Sequence, residues 1–159
     1  MRILGIDPGF ERLGIAILEK SQKNKKETVI FSECFKTSAK SEFSERLRLI
    51  GEEIRIVIKK YKPEILAIET LFLNTNQKTV MRVAEARGVV VYEGARAGLC
   101  IFEASPPQIK IATTGYGRAN KKQVMKMVKI LVDIDNSKKS DDELDAIAIA
   151  LTAFAHIHS

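Results

Sequence analysis

Little in this sequence suits thiol or soft-metal chemistry. It holds two cysteines and two histidines in 159 residues. Cys34 and Cys100 lie far apart, without metal or redox spacing. Their apolar neighbours predict two small core residues, and a reduced, cytoplasmic setting follows as the default. His156 and His158 close the chain and take no role. No apolar run approaches the roughly 20 residues of a membrane span. The first residues show no charged-then-apolar signal region, so no membrane partner is expected. Repeats, low-complexity stretches and linkers are missing too, which leaves one domain over residues 1–159.

The last absence is local. No acidic residue occurs between Glu103 and Asp133, in a chain with 20 acids and net charge +6. The same stretch holds Lys110, Arg118, Lys121, Lys122, Lys126 and Lys129. Cations without anions make a local field suited to a polyanion. A solvated basic face is the plain alternative. Lys20, Lys23, Lys25 and Lys26 form a second cluster that reads as a hairpin loop.

What is present alternates in period. Arg2–Asp7, Arg12–Glu19 and Glu27–Phe35 read as three short-looped strands, an antiparallel meander. A turn at Pro8–Glu11 joins the first two, with Gly9 available for positive φ. From Glu42 to Lys60 apolar residues recur at three- and four-residue steps, an amphipathic helix. Glu64–Glu69 is a strand apolar on both faces and therefore central. After a loop at Leu71–Asn76, Gln77–Arg96 reads as a core-packing helix rich in Ala and Gly. Leu99–Glu103 is a fifth strand. Ser105 and two prolines start a short helix, and Thr113–Ala119 is a glycine loop. Asn120 caps a helix at Lys121–Val132, and Asp141–His158 is the last helix. The sum is an α/β domain on a five-stranded mixed sheet.

Two central strands end on carboxylates, Asp7 and Glu69. Aspartate is depleted in strands, and a buried charge is costly unless paired or bound to metal. If the strands are adjacent and parallel, their ends lie about 4.8 Å apart at the edge where open α/β sheets bind ligands. In SDDELDAIAIAL, Asp142 and Asp145 share a helix face. The apolar run behind them packs that helix on the sheet and aims its first turn at the same edge. Asp141 competes with Asp142 for this place. Four such acids repel each other and offer only oxygen, a donor set for Mg²⁺ or Mn²⁺. Two ions about 3.5–4 Å apart would activate a water and stabilise the leaving oxygen of a phosphodiester.

GIDPG, then AIET followed by Phe72 and Asn76, then Ala86-Arg87-Gly88, the Gly115–Gly117 loop and DELDAIAIA occur here in order. In sequence and spacing they resemble the RuvC Holliday junction resolvases over nearly the whole chain. That resemblance implies a ribonuclease H-like fold and a homodimer. It implies symmetric, Mg²⁺-dependent cutting of four-way junction DNA in recombination and repair, beside branch-migration proteins of the RuvA and RuvB type. It places the catalytic, metal-holding acids at Asp7, Glu69, Asp142 and Asp145. Some members carry histidine at the position of Asp142. The resemblance puts a junction-centre aromatic at Phe72 and basic DNA-contacting residues at Lys110 and Lys121. Lys122 lies beside the latter, and Arg118 belongs to the same basic stretch.

Rival readings stay open at this point. A ribonuclease H-like nuclease for another nucleic acid would share the acids. A non-catalytic junction-binding module would keep the fold and the basic stretch. An actin-like ATPase opens with a similar strand and turn, but needs a second phosphate loop and an adenosine site.

Overall fold

The computed structural model describes residues 1–20, 26–71, 77–134 and 139–157. Three strands open the chain: β1 (Arg2–Asp7), β2 (Arg12–Glu19) and β3 (Thr28–Lys36). There follow α1 (Phe43–Tyr61), β4 (Ile65–Glu69), α2 (Gln77–Arg96) and β5 (Cys100–Ala104). Three helices finish it: α3 (Pro106–Thr114), α4 (Lys121–Leu131) and α5 (Asp141–Ile157). The sheet order is β3-β2-β1-β4-β5. β2 pairs antiparallel with both β1 and β3, whereas β1–β4 and β4–β5 are parallel. A mixed five-stranded sheet results, with β1 at its centre.

Both faces of that sheet are covered, which explains why its inner strands are apolar throughout. Leu4, Ile6, Ile15, Ile17, Leu66 and Ile68 pack under α1 and α2. Ile3, Ala16, Leu18 and Ala67 pack under α5 with α3 and α4. Ala16, Ala67 and two glycines keep the middle of the second face low, and α5 rests directly on it. A Cβ added at Gly5 would lie 2.2 Å from the Ala146 carbonyl oxygen. One added at Gly14 would lie 2.2 Å from the Asp142 carbonyl oxygen. Two glycines thus let the first turns of α5 settle over the ends of β1 and β2.

Most helix ends carry the expected local chemistry. Ser105 with Gln108, and Asn120 with Gln123, form complete capping boxes at α3 and α4. Ser140 and Glu143 do the same at α5: the Ser140 N–H donates to Glu143 at 2.8 Å, and the Glu143 N–H to the Ser140 hydroxyl at 3.3 Å. Ser32 of β3 also donates to Glu143 at 2.7 Å, which ties that turn to the sheet.

Four expectations need correction. Gly9 does not take positive φ; among the described glycines only Gly98 and Gly115 do. Gly9 is needed because a Cβ there would meet the Arg12 carbonyl oxygen at 2.1 Å. The two cysteines are not core residues: Cys100 is exposed and Cys34 half-buried. The glycine loop is shorter than expected, because Thr113 and Thr114 complete α3, where both hydroxyls donate back to carbonyls of the preceding turn. Finally, α2 is only half a core helix. Ala86, Val90 and Gly94 pack inward, while Met81, Ala84, Gly88, Tyr92 and Ala95 form an exposed stripe on its other side.

Candidate active site

β1 and β4 run parallel with Ile6 beside Ile68, so the residues that follow, Asp7 and Glu69, end neighbouring strands at one edge. α5 crosses β1 just there. Asp145, from its second turn, joins Asp7 and Glu69 around a cavity of about 300 Å³. Pro106 and Ile109 of α3, Val124 of α4 and Ile149 of α5 give that cavity an apolar floor. Lys110 and Lys121 complete its lining. Acids from three separate elements and two cations from the acid-free stretch therefore share one space.

The electrostatics follow from crowding. Asp7 is pushed up from 3.8 to about 7, first by burial, then by repulsion from Asp145, Glu69 and Asp142; Lys121 opposes the rise. Burial likewise raises Glu69, again with Asp145 adding to the rise. Burial raises Asp145 against the pull of Lys121, whose ammonium donates to Asp145 Oδ2 at 2.8 Å. That hydrogen bond in turn raises Lys121.

Asp142 lies one turn earlier on α5 and has different company. It does not line the cavity. Its Oδ2 accepts from Arg12 Nε at 2.9 Å and Nη2 at 2.5 Å, and from the Cys34 thiol at 3.4 Å. The Arg12 hydrogen bonds hold its carboxyl below the usual range, against burial. Asp141 is 77% exposed and only reaches Lys121 at 4.0 Å, so Asp142 is the better placed of the two.

Of the other expected DNA contacts, Arg118 and Lys122 are exposed and do not line the cavity. Phe72 falls outside the described residues. Lys23 and Lys25 do as well. Their neighbours have structural partners: Lys20 pairs with Glu27 at 2.9 Å and Lys26 donates to the Ile130 carbonyl at 2.9 Å.

Two site-supporting residues escape a reading by composition. Arg87 donates to the Glu69 carbonyl at 3.0 Å and pairs with Glu103, so it grips the end of β4. Buried Arg46 donates to Thr37 at 2.8 Å and to the Phe10 carbonyl at 3.3 Å, and stacks on the Phe10 ring. It pins the turn that follows Asp7 to α1. The Ala86-Arg87-Gly88 motif signals the first; an arginine on the inward face of α1 is the only signal for the second.

The match to known proteins covers this whole arrangement. The family model for "Crossover junction endodeoxyribonuclease RuvC" matches residues 3–153. The chain belongs to the RuvC family. It is 42% identical over 159 residues to RuvC of Caldanaerobacter subterraneus subsp. tengcongensis, covering 100% of this chain and 93% of that one. To RuvC of Alkaliphilus metalliredigens it is 44% identical over 159 residues, covering 100% and 94%. A Thermus thermophilus RuvC structure superposes with a TM-score of 0.89 at 31% identity, covering 99% of this chain and 96% of that one. A second structure, T. thermophilus RuvC in complex with Holliday junction substrate, gives 0.90 at 29% with the same coverage. The ribonuclease H-like fold follows from the superposition.

The RuvC nucleases are of a type that needs a divalent metal ion, and the residues here fit one in donor chemistry. The set is all oxygen, and burial first, then the neighbouring carboxylates, raise Asp7. The side chains as placed share a cavity rather than a single coordination shell. Among the described residues no three Asp, Glu, His or Cys side chains stand together as a ready metal cluster. Lys121 sits on Asp145 and Arg12 on Asp142.

Proposed function

We infer that Asp7, Glu69, Asp142 and Asp145 are the catalytic, metal-holding acids with which this RuvC-family nuclease cuts four-way DNA junctions. The convergence of Asp7, Glu69 and Asp145 on one cavity with Lys110 and Lys121 carries the reading. Bound Mg²⁺ or Mn²⁺, two ions per site, would supply a nucleophilic water and charge neutralisation at the phosphodiester. The chain's own residues do the rest. The four carboxylates provide the oxygen donors. Lys110 and Lys121 attract the phosphate, and Lys121 does so from the first position of α4, at the positive end of that helix. Arg118 and Lys122 extend the positive rim along the DNA backbone. Phe72, after β4, is assigned to the junction centre.

Symmetric cutting needs two sites, and the exposed stripe of α2 supports a homodimer. Met81 is 65% and Tyr92 64% exposed, and a Cβ at Gly88 would meet nothing within 4 Å. Small residues between large ones suit a close helix–helix approach. Partnership with branch-migration proteins of the RuvA and RuvB type, and a cytoplasmic setting, complete the reading.

One gel tests it. Synthetic four-way junction, linear duplex and RNA–DNA hybrid are incubated with and without Mg²⁺, beside Asp7→Asn. Cutting should be confined to the junction and to Mg²⁺. Asp7→Asn should bind the junction but not cut it. Equal cutting of the duplex or hybrid, or an active Asp7→Asn, would overturn the assignment.

A further inference from the structure

Asp142 is the one proposed ligand that does not face the cavity, and the cause is visible. Arg12 opens β2 two residues before Gly14, which pairs with Asp7 of β1 on one side and Cys34 of β3 on the other. Arg12 and Cys34 therefore reach the first turn of α5 from two adjacent strands. Both direct their protons to a single atom. Arg12 Nε and Nη2 stand 2.9 and 2.5 Å from Asp142 Oδ2, and Cys34 Sγ 3.4 Å from it. Asp142 is 22% exposed, so it is not a freely solvated end of the helix.

We propose that Arg12 is a positioning residue for Asp142: it pins Oδ2, with Cys34 as a weaker second hold, and leaves Oδ1 to meet the divalent ion. This rests on the reading of Asp142 as a metal-holding acid. The physics is that of a carboxylate whose outer oxygen is fixed. An aspartate has two rotatable bonds, and free rotation would spread Oδ1 over several orientations. A planar guanidinium that donates twice to one oxygen removes that freedom, which an ammonium cannot do as well. Outer partners of this kind orient the ligand, and their loss weakens metal binding as well as turnover. A bare surface ion pair would do neither.

The experiment compares Arg12→Gln, Arg12→Lys, Cys34→Ala and Asp142→Asn as purified full chains. Thermal melting first reports folding. Calorimetric titration with Mn²⁺ on DNA-free protein reports metal affinity, and steady-state cutting of a four-way junction at saturating Mg²⁺ reports kcat and KM. Arg12→Gln should lose about 10- to 100-fold in Mn²⁺ affinity and in kcat, with KM and metal-free junction affinity unchanged. Arg12→Lys, with the charge but not the fork, should recover only part. Cys34→Ala should show a smaller loss of the same kind, and it carries the test with Arg12→Lys if Arg12→Gln does not fold. Wild-type Mn²⁺ affinity and kcat in the Arg12 variants overturns the proposal. So does a loss confined to junction affinity, which would make Arg12 a phosphate contact. Asp142→Asn separates the two levels. If it cuts at the wild-type rate, the role of Asp142 itself fails. If it is dead while the Arg12 variants are unchanged, only the positioning role does.

Discussion

Asp142 and Asp145 stand one helical turn apart on the same face of α5, and the protein treats them in opposite ways. Asp145 faces inward, toward Asp7 and Glu69, and burial raises it although Lys121 holds it at 2.8 Å. Asp142 points away from the cavity, toward β2 and β3, and the Arg12 guanidinium lowers it. The inner group sits beside further carboxylates, with Lys121 as its cation. The outer group, 22% exposed against 30% for Asp145, has three donors on one oxygen. Two carboxylates from one DELDA segment are thus assigned different work by the strands beneath them. Each acid already has a cation, but only the inner one shares its cavity with two further carboxylates.

The sharpest break of this contrast is a pair of isosteric substitutions. Asp145→Asn should reduce junction cutting by about 1000-fold or more, the several kcal/mol that a metal-held reaction centre supplies. Asp142→Asn should cost less, because Arg12 already offsets its charge. Single-turnover cleavage at saturating Mg²⁺ measures both. Equal losses would mean that the inner and outer positions differ in environment but not in importance.

The second effect is on stability, and its sign follows from the proton each group holds. Asp7 binds its proton more tightly in the folded protein, at about 7, than at its ordinary 3.8. Below the lower value both states are protonated and no penalty exists. Between the two, the unfolded chain releases its proton first, so stability falls as pH rises and levels off above about 7. Asp7→Asn removes the penalty. At pH 8 without metal it should be more stable than wild type, by on the order of 4 kcal/mol at most for a shift of this size. The two should converge near pH 4, and Mg²⁺ should stabilise wild type alone. Asp142 has the opposite sign: its lowered value adds stability above its ordinary range, lost on acidification. Urea melts at pH 3, pH 5 and pH 8 separate these contributions, since that of Asp142 changes between the first two and that of Asp7 chiefly between the last two. A wild type that gains stability toward pH 8 in the absence of metal would refute the crowding of the inner acids.

Much of this geometry was legible in the residues. The period-two and period-3.6 patterns give the elements and their order, with ends displaced by about a residue, as fraying ends are. Strands apolar on both faces mark β1 and β4 as central, and central parallel strands put Asp7 beside Glu69. The apolar run behind Asp145 places α5 on the sheet. What stayed hidden depends on contacts between distant elements. Arg12 and Cys34 lie on different strands, and their meeting with Asp142 needs the β2–β3 register and the close seat of α5 on Gly14. Cys34 was misread because apolar neighbours along a strand include those on its opposite face. The small residues of α2 suit close packing against either the chain's own sheet or a second molecule, and the sequence does not say which of them stay exposed.

The smallest expected effect separates two adjacent lysines. Lys121 lines the cavity and touches Asp145, whereas Lys122 is exposed and does not line it. Each should contact one phosphate, so either alanine variant should reduce the slope of log affinity against log salt by about 0.9. Only Lys121 has a second task. It is the one cation that opposes the rise of Asp7, Glu69 and Asp145 together. Lys121→Ala should therefore need more Mg²⁺ for half-maximal cutting below pH 7, because protons then compete better for the inner acids. Lys122→Ala should leave the Mg²⁺ midpoint unchanged. Filter binding across a salt series and Mg²⁺ titrations of cutting at two pH values measure both quantities. If the Mg²⁺ midpoint moves equally in both variants, Lys121 is a phosphate contact like its neighbour, and the inner acids are balanced by something other than its charge.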